Sequence, residues 1–328
     1  MNYRTLGKTD LKISEISLGT WQVGGKWGAP FSYTNAEQII NTAIDAGVNF
    51  IDTADVYSDG ESEKAVGKVV RSRSETIYVA SKCGRRINPH LNENYTPAVL
   101  RQHVEDSLQR LGLERLDLIQ LHCPPTEVYY RPEIFGLFED LQREGKIRHM
   151  GVSVEKVEEA IKAIQFDNVT SVQIIYNMFR QRPAEQFFSM AAERNVGIIV
   201  RVPLASGLLT GLYKKSTTFE AGDHRNFNRE GKFFDKGETF SGIHYETGLE
   251  AVSQLKSLFP DRDNLAPVAI RWVLMNPHIS CVIPGASRPE QVPSNLSALS
   301  LNNLTKVEMD KINEIYAKHI KAQVHQRW

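Results

Sequence analysis

What the chain lacks narrows its possibilities first. Three cysteines occur among 328 residues, Cys83, Cys123 and Cys281, and none belongs to a CxxC pair. An odd, scattered set of thiols argues against a secreted disulfide framework and against the spaced ligands of a structural zinc site. No metal is expected. An excess of one charge is also missing: Lys plus Arg and Asp plus Glu each total 39. Neither nucleic acid nor an anionic membrane is therefore an expected partner. No apolar run approaches the ~18 residues needed to span a bilayer, and the polar opening MNYRTLGKTDLKISE lacks the apolar centre of a leader peptide. The cytoplasm is the expected compartment. A dinucleotide fingerprint is absent too, because Gly24, Gly25 and Gly28 precede a polar loop instead of joining a first strand to its helix.

What the chain has is rhythm. Short apolar runs alternate with longer amphipathic stretches, the pattern of repeated βα units around a parallel sheet. The runs predict strands at Ile16–Leu18, Val48–Ile51, Ile77–Ala80, Leu116–Leu121, His149–Val152, Ser171–Ile175, Gly197–Val200 and Ile279–Ile283. Their number is the number a closed (β/α)8 TIM barrel needs, and the length suits one barrel domain of ~250 residues with insertions. Thr34-Asn-Ala-Glu37 reads as a capping box opening a helix over Ala36–Ala46, stopped by Gly47. Thr96-Pro97 opens a second helix running to Leu111, and Pro132–Arg143, Glu155–Gln165 and Ala184–Asn195 follow the same pattern. Two features depart from a plain barrel. Tyr3–Leu6 and Leu11–Ile13 read as a hairpin that plugs one end, and Ser206 to about Ile243 forms a long loop after strand seven, a candidate lid.

Chemistry in such barrels sits where the strands end. Strand two ends at Asp52 with Tyr57 five residues on, strand three at Lys82 and strand four at His122. Strand five ends at Ser153, strand six carries Gln173 and strand seven ends at Arg201. Each of these has an ordinary structural reading as a cap, a packed ring or a rim charge. Four of them at one mouth suggest proton transfer. Tyr is a poor acid at neutral pH, a neighbouring ammonium stabilises its phenolate, and an ion pair with Asp52 would keep Lys82 charged in a dry site. A neutral His beside the phenol could orient a substrate oxygen. This set suits proton delivery to a carbonyl oxygen while hydride from a cofactor reaches the carbon. A glycosidase reading of Asp52 with Asp55 or Glu61 would leave Tyr57 and Lys82 idle.

These segments resemble a known family. Phe50-Ile-Asp52-Thr-Ala-Asp-Val-Tyr57-Ser-Asp-Gly-Glu-Ser-Glu63, Val79-Ala-Ser-Lys82, Ile119-Gln-Leu-His122-Cys-Pro124 and Leu141–Ser153 are similar, in order, to segments of the aldo-keto reductase superfamily, in the bacterial-type branch related to potassium-channel β subunits. The resemblance implies a tetrad of Asp52, Tyr57, Lys82 and His122, with Tyr57 as general acid and Lys82 with Asp52 lowering its pKa. It implies NADPH, with NADH possible, as cofactor. Gly19, Thr20 and Trp21 would lie beside the nicotinamide ribose, Ser153 and Gln173 on its carboxamide, and Arg201 where many members stack an aromatic ring. Pro203, Leu204 and Gly207 would pass the pyrophosphate; Gly285, Ser287, Arg288, Gln291 and Asn295 would surround the 2′-phosphate and adenine. Trp21 and Cys123 would line the substrate pocket. The expected substrate is a small carbonyl compound, an aldehyde or ketone. The alternative is a slow-turnover, NADPH-binding regulatory subunit that senses redox state.

Overall fold

The computed structural model describes residues 1–25 and 28–328. In chain order, the elements begin with β1 (Tyr3–Thr5), β2 (Lys12–Ser14), β3 (Leu18–Gly19), α1 (Tyr33–Asp45), β4 (Phe50–Asp52), α2 (Glu61–Ser72), β5 (Tyr78–Cys83) and α3 (Pro97–Leu111). There follow β6 (Leu116–His122), α4 (Pro132–Arg143), β7 (Ile147–Ser153), α5 (Val157–Ala163), β8 (Val169–Ile175), α6 (Phe187–Glu193) and β9 (Gly197–Arg201). The chain continues through α7 (His224–Phe227), α8 (Tyr245–Leu258), α9 (Ala266–Leu274), β10 (Ile279–Val282), α10 (Gln291–Leu296), α11 (Lys306–Ile315) and α12 (Lys321–Val324).

Strands β3 to β10 form one eight-stranded parallel sheet in sequence order. Its two edges meet. Parallel bridges join Ile16 to Val282 and Gly19 to Gly285, and Ser17 N–H donates to the Val282 carbonyl at 2.9 Å. The sheet is thus a closed cylinder, a (β/α)8 barrel with no open edge to cover. Nearly every strand residue is buried, as expected when helices cover the outside and side chains fill the inside.

The hairpin plugs the barrel as the sequence suggests. Leu6, Leu11 and Ile13 join Phe50, Ala80, Leu118, Ile199 and Cys281 in a core cluster inside the cylinder. Gly7 makes the fit possible. Its φ of +54° favours glycine, and a Cβ there would lie 2.2 Å from the Gly197 nitrogen.

Helix starts follow local chemistry, with one correction. Thr96 Oγ accepts from Val99 N–H at 3.3 Å and Pro97 begins α3, as read from the sequence. Thr34, however, lies inside α1 and does not cap it. Ser32 Oγ accepts from Asn35 N–H at 3.2 Å, so the helix starts earlier, and Glu37 instead reaches Lys68 across to α2. Two further helices are shorter than expected, because α5 begins at Val157 and α6 at Phe187.

The stretch after β9 is ordered by many small anchors. A left-handed turn at Ala205–Gly207 leads into a loop containing α7 and two short turns, Lys236–Glu238 and Phe240–Gly242. Ser206 Oγ donates to the Glu238 carbonyl at 3.1 Å and accepts from Phe240 N–H at 3.0 Å. Asn177 Nδ2 holds Ser241 Oγ and the Val202 carbonyl, each at 2.9 Å. Trp328 packs over Gly237 and Gly242, donates its indole N–H to Asp235 at 3.0 Å, and stacks on the Arg180 guanidinium at 4.0 Å. The second half of the insertion is therefore bolted to the barrel rim.

Candidate active site

Polar side chains meet in the barrel's mouth because the strands are in register there. Asp52 stands beside Ala80, Lys82 beside Gln120 and His122 beside Ser153, which pairs in turn with Gln173. Residues two apart on a strand share a face, so Gln120 and His122 both point inward.

Lys82 is fully buried and forms an ion pair with Asp52. Its Nζ also donates to the Thr53 carbonyl at 2.8 Å and approaches the Tyr57 hydroxyl at 3.2 Å. The other Asp52 oxygen, Oδ2, accepts from Gln120 Nε2 at 2.9 Å and Gln173 Nε2 at 2.8 Å. Both Asp52 oxygens are thus paired, the condition under which a buried pair is tolerated. Burial alone would lower the Lys82 pKa, but Asp52 and then Tyr57 outweigh it and hold the ammonium protonated.

Tyr57 reaches this ammonium through a turn of unusual backbone. Ser58, Asp59 and Gly60 follow it with φ of 48°, 55° and 88°, and so many consecutive left-handed residues persist only where their surroundings enforce them. Arg86 provides part of that enforcement, donating to the Asp55 carbonyl at 2.9 Å and to Asp59 Oδ1 at 2.6 Å. The phenol's pKa is raised: desolvation outweighs the lowering effect of Lys82, and Asp52 adds to the rise. The sequence reading expects Lys82 with Asp52 to bring it down; only the ammonium pulls in that direction. The neutral phenol, the form that can donate a proton, therefore populates the site.

His122 lies edge-on to Tyr57, ring centroids 6.0 Å apart. Burial first, then the charges of Arg85, Lys82 and Arg201, push its pKa well below the usual value. The imidazole is neutral at pH 7. Trp21 closes the other side, its ring 6.1 Å from that of Tyr57 and 6.1 Å from that of Phe234.

A cavity of about 450 Å³ opens from Tyr57 and His122 along the strand ends, within the usual size range of cofactor and substrate pockets. Of the residues the sequence points to, Gly19, Thr20, Trp21, Asp52, Tyr57, His122, Gln173, Arg201, Pro203, Leu204, Gly207, Gly285, Ser287 and Gln291 line it. Five lie elsewhere. Lys82 sits behind Tyr57, and Ser153 is buried with its Oγ 3.7 Å from Cys123 Sγ. Cys123 is in turn covered, 3.6 Å from Arg201 Nη2, and burial pushes its thiol up to about 12. Arg288 is exposed at the rim, and Asn295 Nδ2 donates to the Gly285 carbonyl at 3.4 Å. Gln291 ties that end together, its Oε1 accepting from Ser287 N–H at 2.7 Å and Arg288 N–H at 3.3 Å.

These features fit a nicotinamide dinucleotide. Glycines let the groove wall pack tightly: a Cβ on Gly19 would strike the Ile283 carbonyl at 2.8 Å, one on Gly207 would strike Tyr213 Oη at 2.3 Å, and one on Gly285 would meet nothing nearer than 3.7 Å. Ser287 and Gln291 line the groove with polar groups, and Arg288, next in the chain to Ser287, is exposed.

Several contributors escape sequence reading. Gln120 gives a signal, a polar residue at an inward position of an apolar strand. Arg85 does too, as a charge just beyond the end of β5. Glu238, His224 and Phe234 line the cavity from the aperiodic insertion, where no periodicity marks them.

Comparison with known proteins agrees with this geometry. Residues 15–317 match the model of the Aldo/keto reductase family. The aldo-keto reductase YhdN of Bacillus subtilis is 30% identical, with 96% of this chain and 94% of that protein covered. A Schizosaccharomyces pombe protein named for a voltage-gated potassium channel subunit beta is 31% identical, with 95% and 92% covered. An aldo-keto reductase of Bacillus halodurans, solved in a holo form, superposes with a TM-score of 0.76 at 28% identity, with 96% of each chain covered. By a match that spans nearly all of its length and a fold shared to the same extent, the chain belongs to the aldo/keto reductase family of oxidoreductases.

Proposed function

We propose that the protein reduces an aldehyde or ketone to the alcohol, using NADPH, with Tyr57 as general acid. One observation carries this reading: a neutral phenol at the cavity wall lies 3.2 Å from a buried ammonium and edge-on to a neutral imidazole. A nicotinamide cofactor supplies the hydride that no side chain can. The protein's own part is to hold and move one proton. The Tyr57 hydroxyl donates to the carbonyl oxygen as that oxygen gains negative charge, and the Lys82 ammonium stabilises the phenolate left behind. Asp52 keeps Lys82 charged, and His122, neutral, donates a hydrogen bond that orients the oxygen. Aromatic walls from Trp21 and Phe234 exclude water from the reacting centre.

Gly19, Thr20, Gln173 and Arg201 would hold the nicotinamide half of the cofactor, with Ser153 behind them, and Pro203, Leu204 and Gly207 would pass the pyrophosphate. Gly285, Ser287, Arg288, Gln291 and Asn295 would hold the adenosine half. Arg288, exposed at the rim, is free to form a bidentate contact with a 2′-phosphate, which favours NADPH over NADH.

Tyr57→Phe tests the reading. The variant is expected to bind NADPH as the wild type does, by fluorescence titration, and to lose about 10²–10⁴-fold in turnover. Retained turnover would remove Tyr57 from the mechanism. The likeness to a protein named for a channel subunit supports a second reading, a slowly turning NADPH-binding regulatory subunit. Steady-state rates on a panel of aldehydes decide between the two: turnover far below the ~1 s⁻¹ at the low end of ordinary enzymes, on every aldehyde, selects the regulatory role.

A further inference from the structure

The bolt that holds the insertion to the rim conceals an unpaired charge. Arg180, which follows β8, is 2% exposed, and its Nη1 and Nη2 have no hydrogen-bond partner among the described residues. Burial pulls the guanidinium down to about 9, against the attraction of Asp235, which forms no bond to it. Two surfaces keep water out. The Trp328 ring covers one side, 4.0 Å from the guanidinium, and the Gly237 backbone crowds another, where a Cβ would stand 2.4 Å from Nη2. Two hydrogen bonds tie Trp328 down: its indole N–H donates to Asp235 at 3.0 Å, and its carbonyl accepts from Arg182 Nη1 at 2.8 Å. Beneath the ring the backbone is strained as well, with φ of 52°, 58° and 83° at Phe240, Ser241 and Gly242.

We propose that Trp328 is a latch on the turn Asp235–Gly242 and that Arg180, dry and unpaired beneath it, is the spring that drives the latch open. A ring over a guanidinium recovers part of the hydration that burial removes, and not all of it. Lifting Trp328 admits water to Arg180 and frees the left-handed backbone, so the closed form is held against two opposing terms. An apolar side chain under the ring would pack there without this conflict, and a guanidinium paired with Asp235 would lock the turn shut. The moving piece reaches the cavity. Phe234 directly precedes Asp235 and Glu238 lies within the turn; both line the wall that faces Trp21 and Arg85. The latch thus sets how often that wall loosens, whatever the cavity binds.

Hydrogen exchange of the full chain, read by mass spectrometry on peptides covering 234–242, tests this without any substrate. The amides of Gly237, Glu238, Phe240 and Gly242 are hydrogen-bonded in the closed form and so report its opening. Trp328→Ala should lower their protection about tenfold or more, since it removes ring and N–H together. Trp328→Phe, which keeps a ring and loses the N–H, should lower it less. Arg180→Met, uncharged and of similar length, should act in the opposite direction and raise protection about tenfold. Two residues in contact with each other thus have effects of opposite sign, which a plain stabilising stack does not produce. Peptides of α1, which touches neither residue, serve as the reference and should be unchanged. If Arg180→Met fails to fold, Arg180→Leu carries the comparison. Protection of 234–242 that falls or stays level when the guanidinium is removed overturns the proposal, and so does protection unchanged in Trp328→Ala.

Discussion

Replacing Lys82 by methionine removes the positive partner of a carboxylate that is 1% exposed. Asp52 would keep its amide donors, Gln120 at 2.9 Å and Gln173 at 2.8 Å, but no cation. Two outcomes are open to such a group. It stays ionised and unpaired, costing about 3–5 kcal/mol, or it takes up a proton. A carboxyl of ordinary acidity costs about 4 kcal/mol to protonate at pH 7 and about 1.5 kcal/mol at pH 5. The cheaper route sets the loss, so the variant should be less stable by about 4 kcal/mol at pH 7 and by about 1.5 kcal/mol at pH 5. The sign follows from linkage: a folded state that prefers the protonated acid loses stability as pH rises. Adding Asp52→Asn removes the stranded charge, and the double variant should recover to within about 2 kcal/mol of wild type with little pH dependence. Urea unfolding followed by tryptophan fluorescence at the two pH values measures all three proteins. A single variant that loses under about 1 kcal/mol, or loses the same amount at both pH values, would refute the reasoning, because the pair would then not be dry.

Three further outcomes can be checked. Asp55 is fully buried, and burial, then Glu63, push its carboxyl up to about 7 from 3.8; its favourable contribution is complete below about pH 4 and lost as pH rises through 7, so Asp55→Asn should raise the free energy of urea unfolding at pH 8 by about 2–4 kcal/mol and leave it unchanged at pH 4. Gly7→Ala places a Cβ 2.2 Å from the Gly197 nitrogen at φ +54°, and a loss of at least about 2 kcal/mol in urea unfolding is expected. His122 is neutral across the neutral range, so the pH profile of kcat/KM should show no step near 6.5, and His122→Gln should keep the profile's shape between pH 5 and 8; a step that vanishes in the variant would show that the ring titrates there.

Much of this was legible because burial writes itself into sequence. The barrel strands carry apolar runs, and polar residues stand at their ends: Asp52, Lys82, His122, Ser153 and Arg201 each occupy the last or next-to-last position of a strand. Sequence misleads at the start of α1 for a local reason: Ser32 and Thr34 are both able to cap within one turn, and the fold selects Ser32. Glu238 could not be found in this way. It acts through contacts with Arg85 and Arg201, 153 and 37 positions back in the chain, and nothing periodic surrounds it. The Tyr57 turn was legible as a motif, but its left-handed backbone depends on Arg86 and on packing from other elements.

The seal that Leu6, Leu11 and Ile13 make with Phe50, Ala80 and Leu118 gives the Asp52–Lys82 pair a dry floor. A defect at the hairpin should therefore be felt toward the opposite end of the barrel, as water reaching an ion pair that depends on its absence.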